Sequence, residues 1–86
     1  MTYESHLIDP NGSAVGYFYS HDTLRDARLA APSRADIPDG YALVFLRTSC
    51  ATGCWWVIDI IGSEQAAQRS KLVSRADGDK RRPASL

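Results

Sequence analysis

Long apolar runs are missing from this chain, and that absence sets the first limit. Runs such as Trp55-Trp56-Val57-Ile58, cut short by Asp59, fall far below the roughly 18 residues that cross a bilayer as a helix. The opening residues Met1-Thr2-Tyr3-Glu4 carry no basic segment followed by an apolar one, so no secretory signal peptide is expected, and the sequence reads as cytoplasmic with no membrane partner. Glycine-rich phosphate loops are missing too: neither Gly-x-Gly-x-x-Gly nor a Walker-type lysine occurs. Cysteine is scarce. Cys50 and Cys54 are the only two, their spacing does not match a zinc knuckle, and no second ligand pair follows at a standard distance. No cofactor and no metal ligand set are expected. Lysine and arginine are absent from residues 1–24, which opposes phosphate binding by the N-terminal part.

What remains is the composition of one small domain. The 86 residues suit a single domain, and 44 % of them are hydrophobic, close to an ordinary globular protein and too many for a disordered chain. A domain of this size buries only about 60–65 % of its unfolded surface, so its core is thin. Charge is zero overall but uneven. Residues 1–62 hold four basic against seven acidic groups, a net of −3, and residues 63–86 hold six basic against three acidic, a net of +3. The basic set is Arg69, Lys71, Arg75, Lys80, Arg81 and Arg82. An acidic body with a basic end points weakly to an anionic partner for that end. The plainer reading is a solvated helix end and a frayed terminus.

Two turns share one grammar. Asp9-Pro10-Asn11-Gly12 has the residue preferences of a type I turn, and a left-handed glycine after it makes a three-residue hairpin loop with a bulge. Ala51-Thr52-Gly53, flanked by Cys50 and Cys54, repeats the pattern. Two β-hairpins are therefore expected, joining residues 2–9 to 13–20 and residues 41–49 to 55–61. Pairing Asp9 with Ser13 puts Tyr3, Ser5, Leu7, Val15, Tyr17 and Tyr19 on one face, the candidate core face because each tyrosine ring buries a large area. His6 then lies opposite Gly16 on the more polar side. Thr23 and Asp26 form a capping-box-like start for a helix over 24–31, ended by Pro32. Ser63 and Glu64 open a second helix over 64–75. The fold expected is α+β with the order ββαββα. It has a four-stranded antiparallel sheet with both helices on one face, one domain over 1–78 and a disordered basic tail over 79–86. A β-grasp-like arrangement, with a central helix crossing the sheet, is the alternative.

The second hairpin carries more apolar surface than one face accommodates. With Cys50 opposite Cys54, Val44, Leu46, Trp56, Ile58 and Ile60 share one face and Trp56 enters the core. Trp55 falls on the other face with Leu43, Phe45, Val57 and Ile61, where Arg47 and Asp59 are placed to pair diagonally. Three covers fit that mixed face: the C-terminal helix, a second copy in a homodimer, or a different protein. Tryptophan flanked by arginine is typical hot-spot chemistry. The candidate partner-binding residues are Trp55, Phe45, Arg47, Val57, Tyr17 and Tyr19.

Candidate chemistry is thin. Opposed cysteines at a hairpin end are within reach of a disulfide, but a cytoplasmic setting favours two reduced, structural thiols. Ser20-His21-Asp22 are sequence neighbours, which does not make them a triad, because the groups of a triad must converge in space. By exclusion the sequence reads as a non-enzymatic regulatory or inhibitor protein that binds another protein. Compact hairpin-and-helix chains of this length are similar to accessory proteins of phages and mobile elements, including anti-CRISPR inhibitors, in size and organisation and through no residue motif. Two alternatives stand beside it. One is a nucleic-acid accessory protein using the basic C-terminal helix and tail. The other is a small metal or redox protein using Cys50 and Cys54.

Overall fold

The run Ala42-Leu43-Val44-Phe45-Leu46 is buried at every position, the mark of a strand covered on both faces. It lies at the centre of a five-stranded sheet in the computed structural model, which describes residues 1–81. The elements are β1 (Thr2–Ile8), β2 (Ala14–His21), α1 (Leu24–Ala30), a single 3-10 turn (Arg34–Asp36), β3 (Ala42–Thr48), β4 (Trp55–Gly62), α2 (Glu64–Arg69), α3 (Lys71–Ser74) and β5 (Gly78–Asp79). The sheet order is β2-β1-β3-β4-β5, antiparallel throughout except that β5 runs parallel to β4.

This corrects the expected sheet in three ways. There is a fifth strand, the sheet is mixed, and the helices lie on opposite faces. Ala27 of α1 packs with Leu43 and Phe45, and Ala66 and Ala67 of α2 pack with Ile8, Val44, Leu46 and Val57. Adjacent β3 residues alternate between the two clusters, so an unbroken apolar strand needs a helix on each side. β5 is short, but it is fixed by Asp77 N–H donating to Trp55 O (2.8 Å) and Lys80 N–H donating to Val57 O (2.7 Å). Where a tail was expected over 79–86, Asp79 thus belongs to β5, and residues 82–86 lie outside the described residues.

Local signals formed much as the residues dictate. Asp9 Oδ1 accepts from the N–H of Asn11 and of Ser13, both at 2.9 Å, and Gly12 takes φ +93°, which gives the three-residue loop. Thr23 caps α1 by accepting from Asp26 N–H, and Ser63 caps α2 by accepting from Ala66 N–H. The expected long second helix is broken at Ser70, whose extended backbone (ψ 137°) ends α2. Its hydroxyl accepts from Leu72 N–H at 3.2 Å and so caps α3. No helix among the described residues is long and apolar enough to cross a membrane.

Register is where the strands depart most from expectation. The second hairpin closes on Ser49 and Cys54 (Ser49 N–H to Cys54 O, 2.9 Å), not on Cys50 and Cys54, so its loop is one residue longer. Thr48 therefore faces Trp55 and Leu46 faces Val57, one step out of the expected pairing. A bulge at Ile58 takes up the extra residue, and from Phe45↔Asp59 onward the pairing is as expected. Side chains on residues 55–58 consequently exchange faces. In the first hairpin, irregularities fall opposite Leu7–Ile8 and Tyr3–Ser5, which bring Tyr17 opposite His6 and Phe18 opposite Ser5. Phe18, with Tyr3, packs under α1, while Tyr17 and Tyr19 are exposed, so the tyrosine-rich core face is not formed.

The β1–β2 turn is also locked to α2. A Cβ placed on Gly12 would stand 2.6 Å from backbone and side-chain atoms of Arg69, whereas one on Gly53 (φ +71°) would meet nothing within 4 Å. Gly53→Ala is expected to cost only the left-handed backbone penalty of roughly 1–2 kcal/mol. Gly12→Ala should cost that and more, because the turn must lift from the helix, and paired thermal melts of the two variants separate the terms.

Candidate functional site

Residues directly opposite each other on neighbouring strands share a face. Tyr17 faces His6, which faces Val44, and Glu4 faces Leu46. Val44 and Leu46 belong to the cluster under α2 and α3, so Glu4, His6 and Tyr17 lie on that same face. Here the helices cover β3 and β4, and the β1–β2 part of the face carries a polar and aromatic group. His6 Nε2 lies 3.0 Å from Glu4 Oε1, within hydrogen-bond distance. Tyr17 Oη and Ser20 Oγ each donate to Glu4 Oε2 at 3.4 Å and lie 3.2 Å from each other. The His6 ring lies 4.9 Å from that of Tyr17, and Tyr17 meets Tyr19 edge-on at 6.1 Å. Glu4 sits between Ser20 and His6, so this is a hydrogen-bonded surface patch and not a base aimed at a serine.

Beside the patch lies a cleft of about 550 Å³. It is lined by turn residues 11–14, Trp55, residues 69–72 and Arg75. Arg69 Nη1 donates to Pro10 O at 2.8 Å, tying the turn to the helix. Three of the residues expected to contact nucleic acid, Arg69, Lys71 and Arg75, thus converge on one concave surface. The others do not join them. Arg81 is bonded to both Asp79 and Glu64, Lys80 lies beyond β5, and Arg82 lies outside the described residues.

The expected partner-binding residues divide. Phe45 (2 % exposed) and Val57 (0 %) are in the two core clusters. Trp55 packs against the α2–α3 cluster and donates its indole N–H to Leu72 O at 2.7 Å, so the changed register moves it inward. Arg47 stacks on Trp56 (5.4 Å to the ring centroid) on the α1 side. The expected Arg47–Asp59 pair is replaced by Arg28–Asp59 at 2.9 Å, because α1 brings Arg28 over Phe45. Tyr17 and Tyr19 remain on the surface, 49 % and 77 % exposed. Cys50 is an exposed thiol in the four-residue loop and Cys54 a half-buried one that closes it opposite Ser49, so the two cysteines do not oppose each other. Among the described residues no cluster of three or more potential metal ligands occurs.

The sequence reading missed the Glu4–His6–Ser20 association and the convergence of Asn11–Ser13 with Arg69, two contacts that join residues far apart in the chain. No protein-family model matches the sequence, and no curated protein or solved structure is significantly similar to it.

Two expected outcomes follow from the placement of these groups. Trp55→Ala should lower stability by roughly 2 kcal/mol, less than the ~3–5 kcal/mol of a fully buried ring because Trp55 is only partly buried, which denaturant melts would register. The Arg81 guanidinium, hydrogen-bonded to Asp79, holds that carboxyl below its ordinary value of 3.8, against the opposing effect of burial. A carboxyl depressed in the folded state adds stability above its unfolded pKa and loses it as the pH falls through the folded value. Arg81→Ala should return the Asp79 titration, followed by NMR, toward 3.8, and its stability deficit should shrink as the pH drops below that point.

Proposed function

We propose that the protein is a non-enzymatic binding module that docks another protein against strand β2 and thereby regulates it. One observation carries the reading. Of the five large apolar side chains most exposed among the described residues, three (Val15, Tyr17 and Tyr19) sit on this one edge strand. Edge strands are usually protected by lysine, other charges or proline, and β2 (Ala-Val-Gly-Tyr-Phe-Tyr-Ser-His) carries none of them. Its irregularities twist the edge, which favours docking through the tyrosine rings over a long added ladder. Tyrosine supplies large contact area with few rotatable bonds and a hydroxyl for the rim. The hydrogen bonds from Tyr17 and Ser20 to Glu4 preset that surface.

The inhibitor and phage-accessory reading rests on size and layout alone and adds no residue to this surface. A nucleic-acid role is less favoured, because the basic side chains are divided between the cleft and the β5 edge. The test is a tagged capture from a lysate of the source organism, treated with nuclease and washed in high salt. The wild-type chain is compared with Tyr17→Ala, Tyr19→Ala and the double variant. Hot-spot side chains cost about 2 kcal/mol or more each, so each single variant should lose roughly 30-fold in affinity for the captured protein. The melting temperature should move little, as for other exposed positions. Retained capture by the double variant would overturn the reading. Capture of only a second copy, with a dimer in light scattering, would replace the outside partner by self-association.

A further inference from the structure

The cleft between the β1–β2 turn and the α2–α3 junction is independent of the β2 surface, and its lining has a chemistry of its own. Arg69, Lys71 and Arg75 contribute three cations and no carboxylate lines it. The nearby acids are engaged elsewhere: Asp9 accepts from the turn's own N–H groups, and Asp77 Oδ2 accepts from Trp55 N–H at 2.9 Å. Lys71 and Arg75 form no ion pair among the described residues, and Arg75, the C-cap of α3, donates its N–H to Lys71 O at 2.9 Å, so the two stand one turn apart beside the cleft. Arg69 spends one guanidinium nitrogen on Pro10 O and keeps its other donors. Ser70 is 2 % exposed and lines the same cleft. Its oxygen accepts from Leu72 N–H, which leaves the hydroxyl proton to donate. Beside these donors stand the Trp55 ring and Leu72, an apolar surface next to a cationic one.

We propose that this cleft binds a phosphate monoester, its phosphate held by Lys71, Arg75 and the Ser70 hydroxyl and its organic part laid against Trp55. The paired requirement comes from the lining. Cations without carboxylates select an oxyanion, and charge-assisted bonds from such groups are the strong ones. The aromatic wall adds affinity only for an anion that brings an apolar body with it. The site is built in advance, because Gly12 lies so close to Arg69 that turn and helix form one surface.

Trp55 is also the reporter. In a Trp56→Phe variant the only indole left is the one lining the cleft, and its fluorescence can be titrated with phenyl phosphate and with inorganic phosphate at constant ionic strength. In the unaltered protein, amide shifts of Gly12, Ser13 and Ser70 give a second readout that does not depend on that variant's folding. Saturable binding is expected, with phenyl phosphate at least about tenfold tighter than inorganic phosphate. Lys71→Gln and Arg75→Gln should each weaken it by about tenfold or more, the effect of one charged hydrogen bond. Three results would overturn the proposal. They are an unsaturable response matched by chloride, binding unchanged in both variants, and equal affinity for the two probes, which would remove the organic half of the ligand. The Tyr17 and Tyr19 variants should leave this binding unchanged, so the β2 reading and this one can fail separately.

Discussion

The burial of β3 on both faces is the constraint from which the rest of the architecture follows. Five consecutive apolar residues in one strand cannot be satisfied by helices on a single side, because alternate side chains point opposite ways. One helical segment must therefore be delivered to each face. The chain does this with very short helices, α1 of seven residues and α2 of six. Isolated helices of that length do not hold in water, so their order derives from packing on the sheet and from the caps at Thr23, Ser63 and Ser70. The small residues Ala27, Ala66 and Ala67 suit this arrangement, since they let each helix lie close over large β3 side chains.

What could be read from the sequence was whatever depends on a few neighbouring residues. The Asp9-Pro10-Asn11-Gly12 turn, the caps at Thr23 and Ser63, and the presence of four main strands all follow from local stereochemistry. Faces were not legible, because a strand's facing depends on a count along the chain. One additional residue in the second loop, taken back at Ile58, exchanges the environments of Trp55 and Trp56 and leaves the end of the hairpin away from the loop paired as expected. In the first hairpin the same arithmetic trades Tyr17 and Tyr19 for Phe18, which packs on the core beside Tyr3. β5 offered no pattern at all: two residues, Gly78 and Asp79, hold their place through main-chain bonds to β4 and through Arg81.

The candidate sites divide along the same line. Arg69, Lys71 and Arg75 stand out in the sequence as charge, and Trp55 as surplus aromatic surface. That they meet is a property of the fold, since the contact requires the N-terminal turn to rest on α2 and Ser70 to bend the chain between the helices. Tyr17 and Tyr19 were singled out for their chemistry, and their exposure follows from the irregular pairing of β2. In both places one residue of excess backbone decides what reaches solvent.

The two-residue β5 has a consequence for the life of the molecule after synthesis. It is the cover over the outer edge of β4, whose residues Trp55–Gly62 include six large apolar side chains. Its attachments come from Asp77, Lys80 and Arg81. A proteolytic cut before Gly78 would leave the core clusters and caps in place and yet uncover unpaired backbone beside an apolar strand. Such an edge is a template for strand addition from other chains. The residues from Asp77 to Arg81 thus act as a seal on the edge of β4, and removing them would offer that edge to strands of other chains.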